Sequence, residues 1–189
     1  VKFSKSRKRA SDAEGITLDM PVLDSHPNRH PFEGCLTLID QASDKAPSGA
    51  RKHRVILTRA AAASALPSLL GMAVDFSANW EGHDSRQKCG IITAASIQGK
   101  RVVVSGFIYG KDYPEIAKAS VDALLGMSYE LSDAHVADMR AEVWTLTRAV
   151  FTGAAILLRD KAAYRDTSFR MLSASGKPAQ ELTIRGEQP

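Results

Sequence analysis

Ser128, in the stretch Gly126-Met127-Ser128-Tyr129-Glu130, is a residue that could carry nucleophilic chemistry. A serine hydroxyl attacks a carbonyl only when a base removes its proton, and histidine is the usual base. The chain holds five histidines. His26 and His30 are four apart but are each followed by proline, which argues against a helical metal pair and for an exposed loop. His53 lies between Lys52 and Arg54 and reads as a solvated loop residue. His135, seven residues after the serine, suits a surface helix. His83 stands apart. It follows Gly82 in a loop just before a strand, with Trp80, Glu81 and Asp84 around it. Glycine lets backbone come close to another segment, and an aromatic neighbour can exclude water. On spacing alone, an exposed loop histidine is the ordinary reading and a base the sharper one.

Several large enzyme classes lose their signatures here. Glu130 stands where a Gly-x-Ser-x-Gly elbow needs glycine, and a strand follows the serine rather than a helix. The zinc-protease motif His-Glu-x-x-His is missing, as are the Gly-rich phosphate loop and the dinucleotide fingerprint. No cofactor and no metal site is expected. Cys35 and Cys89 form no Cys-x-x-Cys pair and no disulfide framework, which suits a reducing cytoplasm. The longest uncharged run, Ala60 to Val74, is fifteen residues and is interrupted by Pro67 and Gly71, too short for a membrane span. The first residues carry no apolar segment of signal-peptide type.

The elements that must position these residues follow from periodicity. Strands are expected at 32–40, 54–58 and 71–76. A hairpin is expected from 91–98 and 101–109, joined at Gly99-Lys100. The Ala-rich stretch 59–66 suits a short helix stopped by Pro67. Residues 113–125 form a helix starting near Pro114, with Ala117, Val121 and Leu124 as its apolar face beside Ile116 and Leu125. Strands at 126–132 and 142–151 flank a polar, helix-compatible link, and 153–165 closes the domain as a final helix. Short alternating strands with helices between them predict an α+β fold: a mostly antiparallel, partly open β-barrel surrounded by helices. Residues 1–31 read as a basic arm and irregular lead-in, 32–167 as the folded domain, and 168–189 as a loose tail. The net charge of +4 comes from that arm: Lys2, Lys5, Arg7, Lys8 and Arg9 lie in the first ten residues without an acid, and without them the charge falls to −1. Such an arm is a solvated terminus or a contact with nucleic acid through residues 2–9.

Three stretches together resemble the phage prohead (head-maturation) serine proteases, which share a fold with the herpesvirus maturational protease, assemblin. They are GHDSRQKCGIITAASIQGKRVVVSGFIYGKDYPEI, LLGMSYELSD and VWTLTRAVFTGAAILLRDKAAY, and the likeness spans residues 32–165. In that group a histidine precedes a strand hairpin, and the serine opens a later strand after a short helix. A further strand and a small-residue segment then close the domain. His83, Ser128, 143–151 and 153–163 hold those places. The resemblance implies that Ser128 is the nucleophile and His83 its base. It also implies cleavage of scaffold and major capsid proteins during head assembly in the host bacterial cytoplasm, inside the assembling prohead, alongside other copies of the protease. Many phage relatives place an acid on the strand after the serine, and herpesvirus members a second histidine; here Arg148 stands in that region. Candidates for the third member are Asp138, Glu142, His135 and Asp84, with Asp138 favoured to orient His83 and Arg148 a candidate to assist the oxyanion; a Ser–His dyad with a weak orienting group is the other arrangement. Two other readings stay open. One is a structural or scaffold-associated head protein of the same fold. The other is a nucleic-acid-binding β protein that uses its basic arm.

Overall fold

The computed structural model describes residues 14–21 and 26–173. The basic residues 2–9, and so the nucleic-acid reading, lie outside the described residues, as does the chain after 173. Among the described residues, nine strands form a single curled sheet, accompanied by two short α-helices and a single 3-10 turn at Leu66–Leu69. The sheet path is β3 (Arg54–Leu57), β8 (Val143–Leu158), β4 (Ala73–Phe76), β5 (Lys88–Gln98), β6 (Arg101–Ile108), β2 (His30–Leu38) and β9 (Ser168–Met171). β1 (Glu14–Thr17) pairs with β5, and β7 (Leu125–Val136) pairs with β8. Only β3–β8 and β4–β8 run parallel; the other pairs are antiparallel. The architecture is α+β, a mixed sheet curled into a half-barrel. β7 also packs across the curl against β2 and β9.

One main cluster of buried apolar side chains forms the core. Phe32, Leu36, Ile39, Leu57, Ile92, Ile97, Val102, Phe151 and Ile156 are almost fully buried there. Phe32 stacks on Phe169 of β9 with centroids 5.5 Å apart. Helix α1 (Arg59–Ala65) buries Ala61, Ala62 and Ala65 and packs against β8. Its small side chains allow close approach, and Thr58 caps it by accepting from the Ala61 N–H at 3.2 Å. Gly99 turns the β5–β6 hairpin with φ 58°, a conformation that costs glycine little. Cys35 and Cys89 are free and buried, and burial pushes the Cys89 thiol up to about 12.

The structure departs from expectation at several places. Residues 153–158 are the second half of strand β8, not a helix. The run Gly153-Ala154-Ala155-Ile156-Leu157 is buried throughout, because β7 and β4 flank it and both faces are covered. A strand buried on both faces loses its polar alternation and reads like a buried helix. The sheet is therefore not surrounded by helices. Helix α2 (Pro114–Asp122) buries Ile116, whereas Val121 and Leu124 are exposed, so the expected Ala117/Val121/Leu124 face points away from the core. The polar link is no helix: β7 continues to Val136 and a turn leads into β8. Finally, β-pairing extends into both flanks, through β1 in the lead-in and β9 beyond residue 167.

Trp144 and Leu146 share the inward face of β8, and Leu146 is 5% exposed. Leu146→Ala is expected to destabilise the fold by about 2–5 kcal/mol, as lost transfer energy plus an unfilled cavity. A urea midpoint unchanged from wild type would place that face in solvent.

Candidate functional site

β7 places Ser128 in a paired strand opposite Ala155, and Glu130 opposite Gly153. Side chains two apart on a strand share a face, so Ser128 and Glu130 look the same way. Tyr129 packs its ring edge-on against Phe151, 5.8 Å between centroids. Gly153 matters to Glu130: a Cβ there would come 2.7 Å from Glu130 Oε2. The missing side chain leaves room for the carboxylate to lie over β8.

His83 arrives from the loop between β4 and β5, which its own polar groups hold in shape. The Ser77 hydroxyl accepts from the Glu81 and Gly82 N–H groups at 3.1 and 3.2 Å and donates to Asn79 Oδ1 at 2.8 Å. Glu81 pairs with Lys161 at 2.7 Å. The Trp80 carbonyl accepts from the Leu158 N–H at 2.8 Å, fastening the loop to the end of β8. Trp80 stacks on Phe76, 4.9 Å between centroids.

His83 Nδ1 faces two carboxylates. Glu130 Oε1 is 3.2 Å away and Asp75 Oδ1 3.6 Å. Nδ1 is itself buried, and neither carboxylate lies along its N–H direction closely enough for a well-formed hydrogen bond. Asp75, on β4, is completely buried. A buried carboxylate needs partners. Lys88 of β5 supplies the charge, with Nζ 2.9 Å from Oδ2, and the Asp84 N–H reaches Oδ1 at 3.3 Å. Beside them opens a groove of about 960 Å³ lined by Gly82, His83, Ser128, Glu130 and Thr152, with Trp144 and Met139 among its other walls.

The structure thus brings Ser128 and His83, 45 residues apart in the chain, to one groove. When the imidazole proton sits on Nδ1, the nitrogen beside the two carboxylates, Nε2 keeps the lone pair that can accept a proton from a hydroxyl.

The other sequence candidates lie elsewhere. Asp138 is exposed in the β7–β8 turn, where its Oδ1 accepts from the Arg140 N–H at 2.8 Å. The carboxylates beside His83 are Asp75 and Glu130. Arg148 pairs with Asp133 at 2.7 Å, and Asp133 also sits 3.4 Å from His135. Arg148 lies seven residues along β8 from Ala155, the register partner of Ser128. At ~3.3 Å per residue that is roughly 20 Å, too far to assist an oxyanion at the serine. Asp84 turns outward to Arg86, whose guanidinium holds its carboxyl below the ordinary range. Glu142 is exposed, and His53, expected as a solvated residue, stacks on Trp144 at 4.4 Å. The chain also carries a Ser-x-x-Lys spacing, Ser85 to Lys88, that the motif reading passes over. Lys88 is committed to Asp75 while Ser85 is exposed, so this pair is not assembled as nucleophile and base.

Asp75 and Glu130 are the two residues that motif reading misses, and each left a signal. Glu130 is two positions from Ser128 on a strand, and Asp75 is a lone acid inside the apolar strand Ala73–Phe76. No protein-family model matches the chain, and no curated protein matches it.

Proposed function

We propose that the protein is a serine endopeptidase of the prohead-maturation kind, its half-barrel a variant of the herpesvirus-protease fold. Ser128 is the nucleophile, His83 the base, and Glu130 with Asp75 the orienting carboxylates. One observation carries the reading: His83 shares a groove with Ser128 while its Nδ1 is turned onto two acids. In the reaction His83 Nε2 takes the Ser128 proton as Oγ attacks the scissile carbonyl, then passes it to the leaving amine. Water, activated by the same nitrogen, releases the acyl group and restores Ser128. Backbone N–H groups bordering the groove are the donors left for the oxyanion once Arg148 is set aside. The substrates are the scaffold and major capsid proteins of a viral head, and the open groove suits an extended peptide.

The test is incubation of the full chain with candidate capsid and scaffold proteins, with new termini read by mass spectrometry and kcat by a peptide spanning the site found. Glu130→Gln is expected to lower kcat roughly 10²-fold. That is less than the ~10⁴ seen when a lone triad acid is lost, because Asp75 stays beside Nδ1. Asp138→Ala is expected to leave kcat unchanged. The reverse order of effects would return the orienting role to Asp138.

A further inference from the structure

We propose that Asp75, His83 and Glu130 form a binding site for one zinc-class divalent cation. Three observations carry it. First, one nitrogen and two carboxylate oxygens converge within 4.8 Å of one another. Metal–ligand bonds of about 2.1 Å at tetrahedral angles put neighbouring ligand atoms about 3.4 Å apart. Nδ1 stands 3.2 Å from Glu130 Oε1 and 3.6 Å from Asp75 Oδ1, on either side of that value. Second, Nδ1 is buried with no well-formed hydrogen bond, so its lone pair is available without breaking one. Third, the surroundings suit a cation. Two carboxylates face a single ammonium, Lys88, which holds Asp75 by its other oxygen. That contact fixes a ligating carboxylate from outside, as supporting partners do around protein metals. One imidazole with two carboxylates, and a groove that can admit water as fourth ligand, favours zinc over the all-oxygen, six-coordinate preference of magnesium.

Zinc on Nδ1 has a consequence that rests on the protease reading. A neutral imidazole has one lone pair and one N–H. When Nδ1 gives its lone pair to the metal, the proton resides on Nε2, which can no longer accept one from Ser128. Bound zinc therefore locks the enzyme off, and a chelator restores it.

The experiment titrates Zn²⁺ alone into full-length wild type and Ser128→Ala by calorimetry, with thermal melting alongside and Co²⁺ absorption as a geometric probe. Both proteins are expected to bind one equivalent, to melt higher with zinc, and to give the intense visible bands of four-coordinate cobalt. Glu130→Gln and His83→Ala should each weaken binding at least 10-fold, whereas His135→Ala should not. Absence of one-to-one binding, or undiminished affinity in both Glu130→Gln and His83→Ala, overturns the site. Zinc bound to Ser128→Ala while chelator-treated, zinc-free wild type cleaves nothing upholds the site and removes the protease reading. Undiminished cleavage by zinc-saturated wild type overturns the lock.

Discussion

Ser128→Ala is expected to abolish peptide cleavage, with kcat falling on the order of 10³–10⁶-fold, while the fold is untouched. The magnitude follows from the role. Without Oγ no acyl-enzyme forms, and what remains is water attack aided by binding and whatever stabilises the oxyanion. The fold should survive because Ser128 is half-exposed at a groove wall and its strand is held by backbone pairing to β8. His83→Ala should cost a similar factor, and the double variant little more than either alone, because nucleophile and base act as one unit. Circular dichroism and melting temperature of Ser128→Ala should match wild type. A serine-directed fluorophosphonate should label wild type at Ser128 and label His83→Ala far more slowly. Cleavage undiminished in Ser128→Ala would take this serine out of the chemistry and leave it a polar residue on a strand.

What the sequence allowed to be read, and what it hid, divides along physical lines. The β5–β6 hairpin was legible because one glycine turn separates two alternating runs, and both signals are local. Helix α1 was legible because alanines between Thr58 and Pro67 carry their own start and stop. The second half of β8 was not. Its residues are small and apolar on both faces, and only the flanking strands, distant in sequence, make it a strand. The exposed Leu124 was assigned to a helix face by spacing, but the chain turns into β7 at Leu125 before that face can pack.

The candidate site divides the same way. Ser128 and His83 could be singled out by residue type and by their neighbours. The carboxylates that lie beside His83 could not be found by proximity in sequence, which pointed to Asp138. Orientation of His83 is a matter of which strands meet beneath its loop, and those are β4, bearing Asp75, and β7, bearing Glu130. The same-face rule for strands does find Glu130 from Ser128 once 126–132 is read as a strand. It also moves Arg148 out of reach, because seven residues of an extended strand is a long way.

Asp75→Ala is expected to cost about 1–3 kcal/mol of stability, because Asp75 is buried but the Lys88 ammonium it leaves behind is 39% exposed. Asp75 is fully buried, and its two oxygens serve three groups: Lys88 Nζ at 2.9 Å, the Asp84 N–H at 3.3 Å and His83 Nδ1 at 3.6 Å. Removing the carboxylate leaves the part-exposed Lys88 ammonium without its counter-charge, and the Asp84 amide without its acceptor. Both losses exceed the net worth of the bonds themselves, because the stranded partners must be resolvated or moved. Asp75→Asn separates charge from shape. It keeps an oxygen for the Asp84 amide and fills the volume, but it cannot neutralise Lys88, so its cost should be smaller than alanine's and still measurable. Lys88→Met removes the stranded cation, and Asp75→Asn combined with Lys88→Met should recover part of what Asp75→Asn loses. Urea unfolding of the four proteins gives the coupling directly. Single and double variants whose effects simply add would mean that Lys88 does not stabilise Asp75, and the loop carrying His83 would then be anchored by the Ser77, Lys161 and Trp80–Leu158 contacts.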